Sequence, residues 1–209
     1  MKTTRCVLFE GLSDEEIAFV TEKLKFKYRT FPRGEQIFVY GKNDGKAYCL
    51  VDGAAETLRT DENGTTALIE RISVGEVFGY GANNEFSGRD YAVITAESKC
   101  TVGIADVSEV DLSELPPVFL KNLVKAQQKR IAAYAARTNV LLGRTMRDKL
   151  ICYFKNCAEE AGSNVFYLNI TLTRLADLIF ADRTAMMREI KKLREDGIVK
   201  IDRRKVTIA

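Results

Sequence analysis

Residues 171–208 read TLTRLADLIFADRTAMMREIKKLREDGIVKIDRRKVTI, and the punctuation of this stretch decides the fold. Thr171 is placed to cap a short helix carrying Leu175, Ala176, Leu178 and Ile179, because a side-chain oxygen there satisfies N–H groups that a first turn leaves open. A turn follows at Phe180-Ala181, and Asp182 caps a second helix running to about Asp196. Two helices at this spacing make a helix-turn-helix. In the second, Met186, Ile190 and Leu193 share one face, while Arg183, Thr184, Met187, Arg188 and Lys191 share the other, so the outward face is dominated by long donors. Arg pairs bidentately with guanine O6 and N7, and Thr meets a base edge or a thymine methyl. Thr171, Arg174, Lys192 and Arg194 flank that face and suit phosphates. Gly197 ends the helix, and Val199–Asp202 with Lys205–Ile208 form two β runs around Arg203-Arg204, a basic wing.

Upstream, Pro116-Pro117 opens a stretch without Pro or Gly from Val118 to about Leu142. Leu120, Leu123, Gln127, Ile131, Tyr134, Thr138 and Leu141 recur there at steps of three and four, a heptad-like stripe that a helix must bury against its own domain or a second copy. Gly143 marks a hinge, and another helical region runs from Thr145 to Ala161. Toward the N-terminus, Ser13 and Glu16 form a capping box ahead of Ile17, Val20 and Leu24. From Phe26 to Ile104 the chain is broken into short β runs by Gly34, Gly41, Gly45, Gly53, Gly64 and Gly75, the spacing of a compact β barrel or roll. Asp61-Glu62-Asn63-Gly64 is expected to turn a hairpin between Ala55–Thr60 and Thr65–Ile72, with Asn63 and Gly64 both at positive φ.

Composition narrows the function. In 209 residues, 46% hydrophobic and 29% charged, there is no His and no Trp, which removes the commonest acid/base group and metal ligand and any Ser-His-Asp arrangement. No catalytic set, metal site or cofactor is expected, and a cupin-like barrel enzyme falls for want of a His cluster. The five Cys, at 6, 49, 100, 152 and 157, include no C-x-x-C pair and read as small core residues of a reduced, cytoplasmic protein without a membrane segment. Net charge is −7 over residues 1–120, +5 over 121–142 and +5 over 143–209, an acidic front half joined to a basic back half that meets a polyanion.

Phe31-Pro32-Arg33-Gly34-Glu35-Gln36-Ile37-Phe38, Tyr48-Cys49-Leu50-Val51-Asp52-Gly53 and Gly75-Glu76-Val77-Phe78-Gly79, followed by a long helix and a winged helix-turn-helix, resemble the Crp/Fnr family of bacterial transcription regulators over nearly the full chain. The resemblance implies an α+β protein. Residues 1–115 would form a cyclic-nucleotide-binding-like β-roll that senses an effector, 116–142 a dimerisation helix, and 143–209 a winged helix-turn-helix that binds DNA. Members that bind cyclic nucleotides carry Gly-Glu-Leu and Arg-Ser/Thr-Ala in a phosphate-binding cassette. Here Tyr80 replaces the Glu, Asp90 the Arg and Tyr91 the hydroxyl residue, so cyclic-nucleotide binding is not expected. Tyr80, Arg89 and Tyr91 with Lys129 and Arg130 from the long helix are candidates for a pocket that takes another effector. The four-cysteine motif of iron–sulfur relatives is missing, and the lack of His argues against an axial His for haem. Phe180 stands where the family's turn usually has Gly, at a cost of roughly 1 kcal/mol if that residue is left-handed.

The expected function is therefore a homodimeric regulator whose two recognition helices enter successive major grooves about 34 Å apart. Its implied partners are duplex DNA, a second copy, RNA polymerase and an unidentified small-molecule effector. A non-DNA signalling adaptor, using the roll as sensor and the winged helix for protein contacts, is the alternative.

Overall fold

A computed structural model describes residues 6–40, 44–64, 66–79 and 91–209, with Tyr91 described through its backbone alone. The chain divides into two compact units, Met1–Ile131 and Ala132–Ala209. The long helix expected as a part of its own is thus shared between them.

The first unit holds two four-stranded antiparallel sheets. β1 (Lys27–Phe31), β8 (Cys100–Asp106), β3 (Lys46–Asp52) and β6 (Val77–Phe78) form one, in that spatial order. β2 (Gln36–Val39), β7 (Tyr91–Ala96), β4 (Ala55–Thr60) and β5 (Thr66–Ile72) form the other. Side-chain alternation lets β3 build two cores at once. Tyr48 and Leu50 join Phe31, Phe38, Ile72, Phe78, Ile94 and Val102 in the roll interior. Ala47, Cys49 and Val51 point the other way, into a cluster with Val20 of α1 (Asp14–Lys23), Leu24 just after it, Phe9, and Phe119 and Ala126 of α2 (Pro117–Leu141). The capping box at Ser13 and Glu16 is formed on both sides. Gly79, at φ +90°, lies where a Cβ would come within 2.6 Å of the Tyr48 ring, which itself stacks on Phe78; the third motif ends in Gly for lack of space.

The Asp61–Gly64 hairpin forms with a different turn. Gly64 N–H donates to Asp61 O (3.0 Å) and Asn63 N–H to Asp61 Oδ1 (2.9 Å). Gly64 alone is at positive φ (+80°), and Asn63 is not. The Asp61 side chain organises a four-residue turn, so only its last residue needs the left-handed region.

In the second unit, α3 (Met146–Ala161) starts at a Thr145–Asp148 capping box and ends at left-handed Gly162. Then come β9 (Val165–Tyr167), α4 (Leu172–Leu178), α5 (Arg183–Glu195), β10 (Val199–Asp202) and β11 (Lys205–Ile208). The sheet order is β10-β11-β9, so the two-stranded wing read from the sequence has a third strand, with Val206 opposite Phe166. Leu150, Phe154, Leu175, Ile179, Met186, Ile190, Leu193 and Val206 fill its core.

Candidate nucleic-acid interface

α4 and α5 are set by their caps. Thr171 accepts from Arg174 N–H (3.2 Å) and Asp182 from Ala185 N–H (2.7 Å). Between them α4 ends in a Schellman motif: Phe180 N–H donates to Asp177 O (3.2 Å) and Ala181 N–H to Ala176 O (2.9 Å). Phe180 occupies the left-handed position, φ +50°, with 54% of its surface exposed. The Arg137 guanidinium lies 5.4 Å from its ring centroid and donates to Leu178 O (3.1 Å), which offsets part of the strain.

The inner face of α5 is fixed by Met186, Ile190 and Leu193, all buried. Its outer face carries Arg183, Thr184, Met187, Arg188 and Lys191, all exposed, so the structure brings the five expected readout residues together on one surface. Among the described residues, Arg183 and Arg188 make no ion pair. Their neighbours are held by acids: Lys191 lies 3.7 Å from Glu195, Lys192 3.7 Å from Glu189, and Arg174 3.5 Å from Asp177. Behind the helix, Arg147 donates to Glu189 (3.3 Å) and Asp196 (2.5 Å), fastening α5 to α3. Thr171 and Arg174 sit at the start of α4, Thr171 exposed and Arg174 half-buried.

A cleft of about 690 Å³ opens between α5 and β10, lined by Lys191, Arg194, Glu195, Gly197, Val199 and Lys200. Lys200 is an addition to the sequence reading. It sits in a strand, and only the fold sets it beside Arg194. At the wing tip Arg203 is left-handed, φ +53°, and exposed with Arg204.

The stripe on α2 is divided. Leu120 and Leu123 pack on the first unit's own core and Leu141 on the second's, while Gln127 is half-buried. Val124 (55%), Ile131 (65%) and Tyr134 are exposed, as is Thr138. The apolar seam left open therefore passes through Val124, one residue on from Leu123, because the buried face follows Phe119, Asn122 and Ala126.

Of the expected effector residues, Tyr80 and Arg89 lie outside the described residues, as does the side chain of Tyr91. Lys129 is exposed. Arg130 is committed inward: Nη2 donates to Glu70 Oε1 (2.6 Å) and Tyr40 Oη (2.8 Å), and Nη1 to Val77 O (3.1 Å). Thr57 donates to the same Glu70 oxygen (2.9 Å). The Arg130 and Glu70 side chains are 11% and 10% exposed. Both terminal nitrogens of the Arg130 guanidinium are thus engaged within the first unit. Nearby Glu76 has its carboxyl pKa raised, by burial first and then by the charge of Glu70.

No helix among the described residues is long and apolar enough to cross a membrane, and none of their acids and cysteines gather into a metal-binding group.

Residues 28–111 match the cyclic nucleotide-binding domain family. Over 197 residues the chain is 24% identical to a global nitrogen regulator of Synechococcus elongatus, covering 89% of this chain and 87% of that one. It is similar in structure to a cyclic nucleotide-binding domain containing protein from Listeria monocytogenes EGD-e, with TM-score 0.73, 16% identity, and 93% and 96% of the two chains covered. A transcriptional regulator of the CRP family from Thermus thermophilus aligns with TM-score 0.59 and 18% identity over 86% and 91%. With a β-roll that matches the cyclic nucleotide-binding domain family in front and a winged helix-turn-helix behind, the chain is similar in fold to these two proteins.

Proposed function

We propose that this protein is a transcription regulator, not an enzyme, that binds duplex DNA as a homodimer and reads sequence through Arg183, Thr184 and Arg188. The observation that carries the reading is the outer face of α5, where Arg183 and Arg188 are exposed, and unpaired among the described residues, on a helix anchored by three buried residues. Two exposed guanidiniums beside a Thr and a Met match the major-groove edges of guanine and thymine. Lys191, Lys192, Arg194 and Lys200, with the wing arginines, supply the phosphate attraction that holds register. Val124, Ile131 and Tyr134 offer an open helical seam to a second copy. RNA polymerase is the further partner of such a regulator.

The effector is a small molecule other than a cyclic nucleotide. Tyr80, Asp90 and Tyr91 replace the residues that hold the sugar and phosphate in relatives, and Arg130 is neutralised by Glu70.

Selection of random duplexes by the reduced protein tests the reading. The expected product is an inverted repeat with half-site centres about ten base pairs apart, bound with an affinity that falls steeply with salt. Salt-indifferent binding, or no enrichment with or without cell extract, overturns it in favour of an adaptor that contacts proteins.

A further inference from the structure

Cys6 and Cys49 are separated by 43 positions, yet the fold brings their sulfurs to 3.0 Å, with a hydrogen bond between the two thiols. Each residue is 1% exposed. Closing this contact to an S–S bond of about 2.05 Å needs an approach of about 1 Å. The pair is chemically asymmetric: once Cys6 ionises, the Cys49 thiol donates to it, which lowers the Cys6 pKa, and the same bond with burial raises that of Cys49. Cys100 and Cys157 are instead each pushed up to about 11, chiefly by burial. Tyr28 packs against the same cluster. Its hydroxyl is buried without a hydrogen-bond partner among the described residues, and its pKa is pushed up to about 12 by burial and then by the charges of Cys6 and Cys49. An unspent donor thus lies within electrostatic reach of both sulfurs.

We propose that Cys6 and Cys49 are a redox-active pair that closes to an intramolecular disulfide on exposure to a hydroperoxide, fastening the N-terminal segment to β3. The Cys6 thiolate attacks one oxygen of ROOH; the S–O bond forms as O–O breaks, and the departing alkoxide takes up the proton that Cys6 released, leaving as ROH. The Cys49 sulfur then attacks the Cys6 sulfenic acid. S–S forms as S–O breaks, and hydroxide leaves as water with the Cys49 proton. Two thiols lose two electrons and the peroxide gains them. Oxidant reaches the sulfurs through local opening of the segment.

The segment so fastened is the one the long helix grips. Asn122 of α2, itself buried, donates through Nδ2 to Leu8 O (3.2 Å) and Glu10 O (2.7 Å), and Phe119 lies against Phe9. Oxidation at Cys6 therefore stiffens the clasp on α2.

The test treats the 209-residue chain with hydrogen peroxide and maps its thiols after denaturation. The expected result is a fall from five free cysteines to three, a Cys6–Cys49 cross-linked peptide and reversal by dithiothreitol. In Cys49→Ser, dimedone should trap a sulfenic acid at Cys6. Cys6 and Cys49 remaining reduced while Cys152 or Cys157 is oxidised, or Cys6 joined to any other cysteine, overturns the proposal. The wild-type map decides the matter even where a variant fails to fold. Amide exchange supplies the second reading: slower exchange across residues 7–10 and 119–126 of the oxidised protein is expected, and unchanged exchange with the disulfide formed overturns the coupling to α2. Neither outcome depends on DNA binding.

Discussion

Arg130 in the first unit and Arg188 in the second are chemically the same side chain in opposite circumstances. Arg130 is nearly buried, its terminal guanidinium nitrogens donating to Glu70, Tyr40 and a backbone carbonyl. Arg188 stands exposed without an acid among the described residues. A buried guanidinium is tolerable only when its charge and donors are matched, whereas an exposed one costs little and keeps its donors for a partner. The contrast runs through both units: in the first, Arg71 and Arg29 are paired with Glu97 and Glu35, while in the second α5 leaves Arg183, Arg188 and Arg194 unpaired among the described residues. These three arginines are thus available charge, which is what a polyanion requires.

The largest expected effect breaks the first member of this comparison. Glu70→Ala strands Arg130 in the roll and should cost about 3–5 kcal/mol of stability in urea unfolding followed by circular dichroism. Glu70→Leu combined with Arg130→Met removes both charges and should recover much of that loss. Equal stability of the single and double variants would mean that the pair is not desolvated in solution. The corresponding break in the second unit should leave stability alone. Arg188→Ala is expected to cost about 1–3 kcal/mol on cognate DNA and almost nothing on scrambled DNA, while Lys192→Ala weakens both alike and flattens the salt dependence. Similar losses on cognate and scrambled DNA for Arg188→Ala would remove it from readout.

A smaller effect concerns how α5 is held. Asp182→Ala deletes the cap on Ala185 N–H and should cost about 1 kcal/mol of thermal stability. That cap was legible in the sequence, as were those at Ser13 and Thr171, because capping is settled within four residues. Contacts between distant residues were not. Glu70 and Arg130 are 60 positions apart, and nothing in the local sequence of either names the other. Asn122 lies off the stripe read from the sequence, and only the fold supplies the carbonyls of Leu8 and Glu10 that make its burial favourable. β9 is three residues long and becomes a strand because β11 lies beside it. The choice between Leu123 and Val124 for the open seam turned on a face that Phe119 and Ala126 define from the roll side. The outer face of α5 was legible because one helix carries all of it.

Proton linkage sharpens the comparison from the acid side. Glu76 has a folded-state pKa above its ordinary value, burial being the first cause. Its contribution to stability is therefore fully present below the unfolded carboxylate pKa of about 4.3 and lost as pH rises through the folded value. Glu76→Gln should raise the urea midpoint at neutral pH, and the advantage should vanish below about pH 4. A constant advantage across that range would assign the gain to packing rather than charge.

The smallest effect tests the turn that aims α5. Phe180 occupies a left-handed position that costs an L residue about 1 kcal/mol or more, and α3 ends at the equivalent position with Gly162. Replacing Phe180 with Gly relieves that strain. It also adds freedom to the unfolded chain, at about 0.5–1 kcal/mol, and deletes the cation–π contact with Arg137, which at an exposed site contributes about 0.5–1 kcal/mol. These terms nearly cancel, so Phe180→Gly should leave the melting temperature almost unchanged. Phe180→Ala keeps the left-handed strain and loses the ring, so it should be the least stable of the three by about 0.5–1 kcal/mol. Alanine matching phenylalanine would mean that the Arg137 contact contributes nothing, and glycine exceeding both would mean that the turn holds Phe180 under strain for the sake of the exposed ring it presents beside α5.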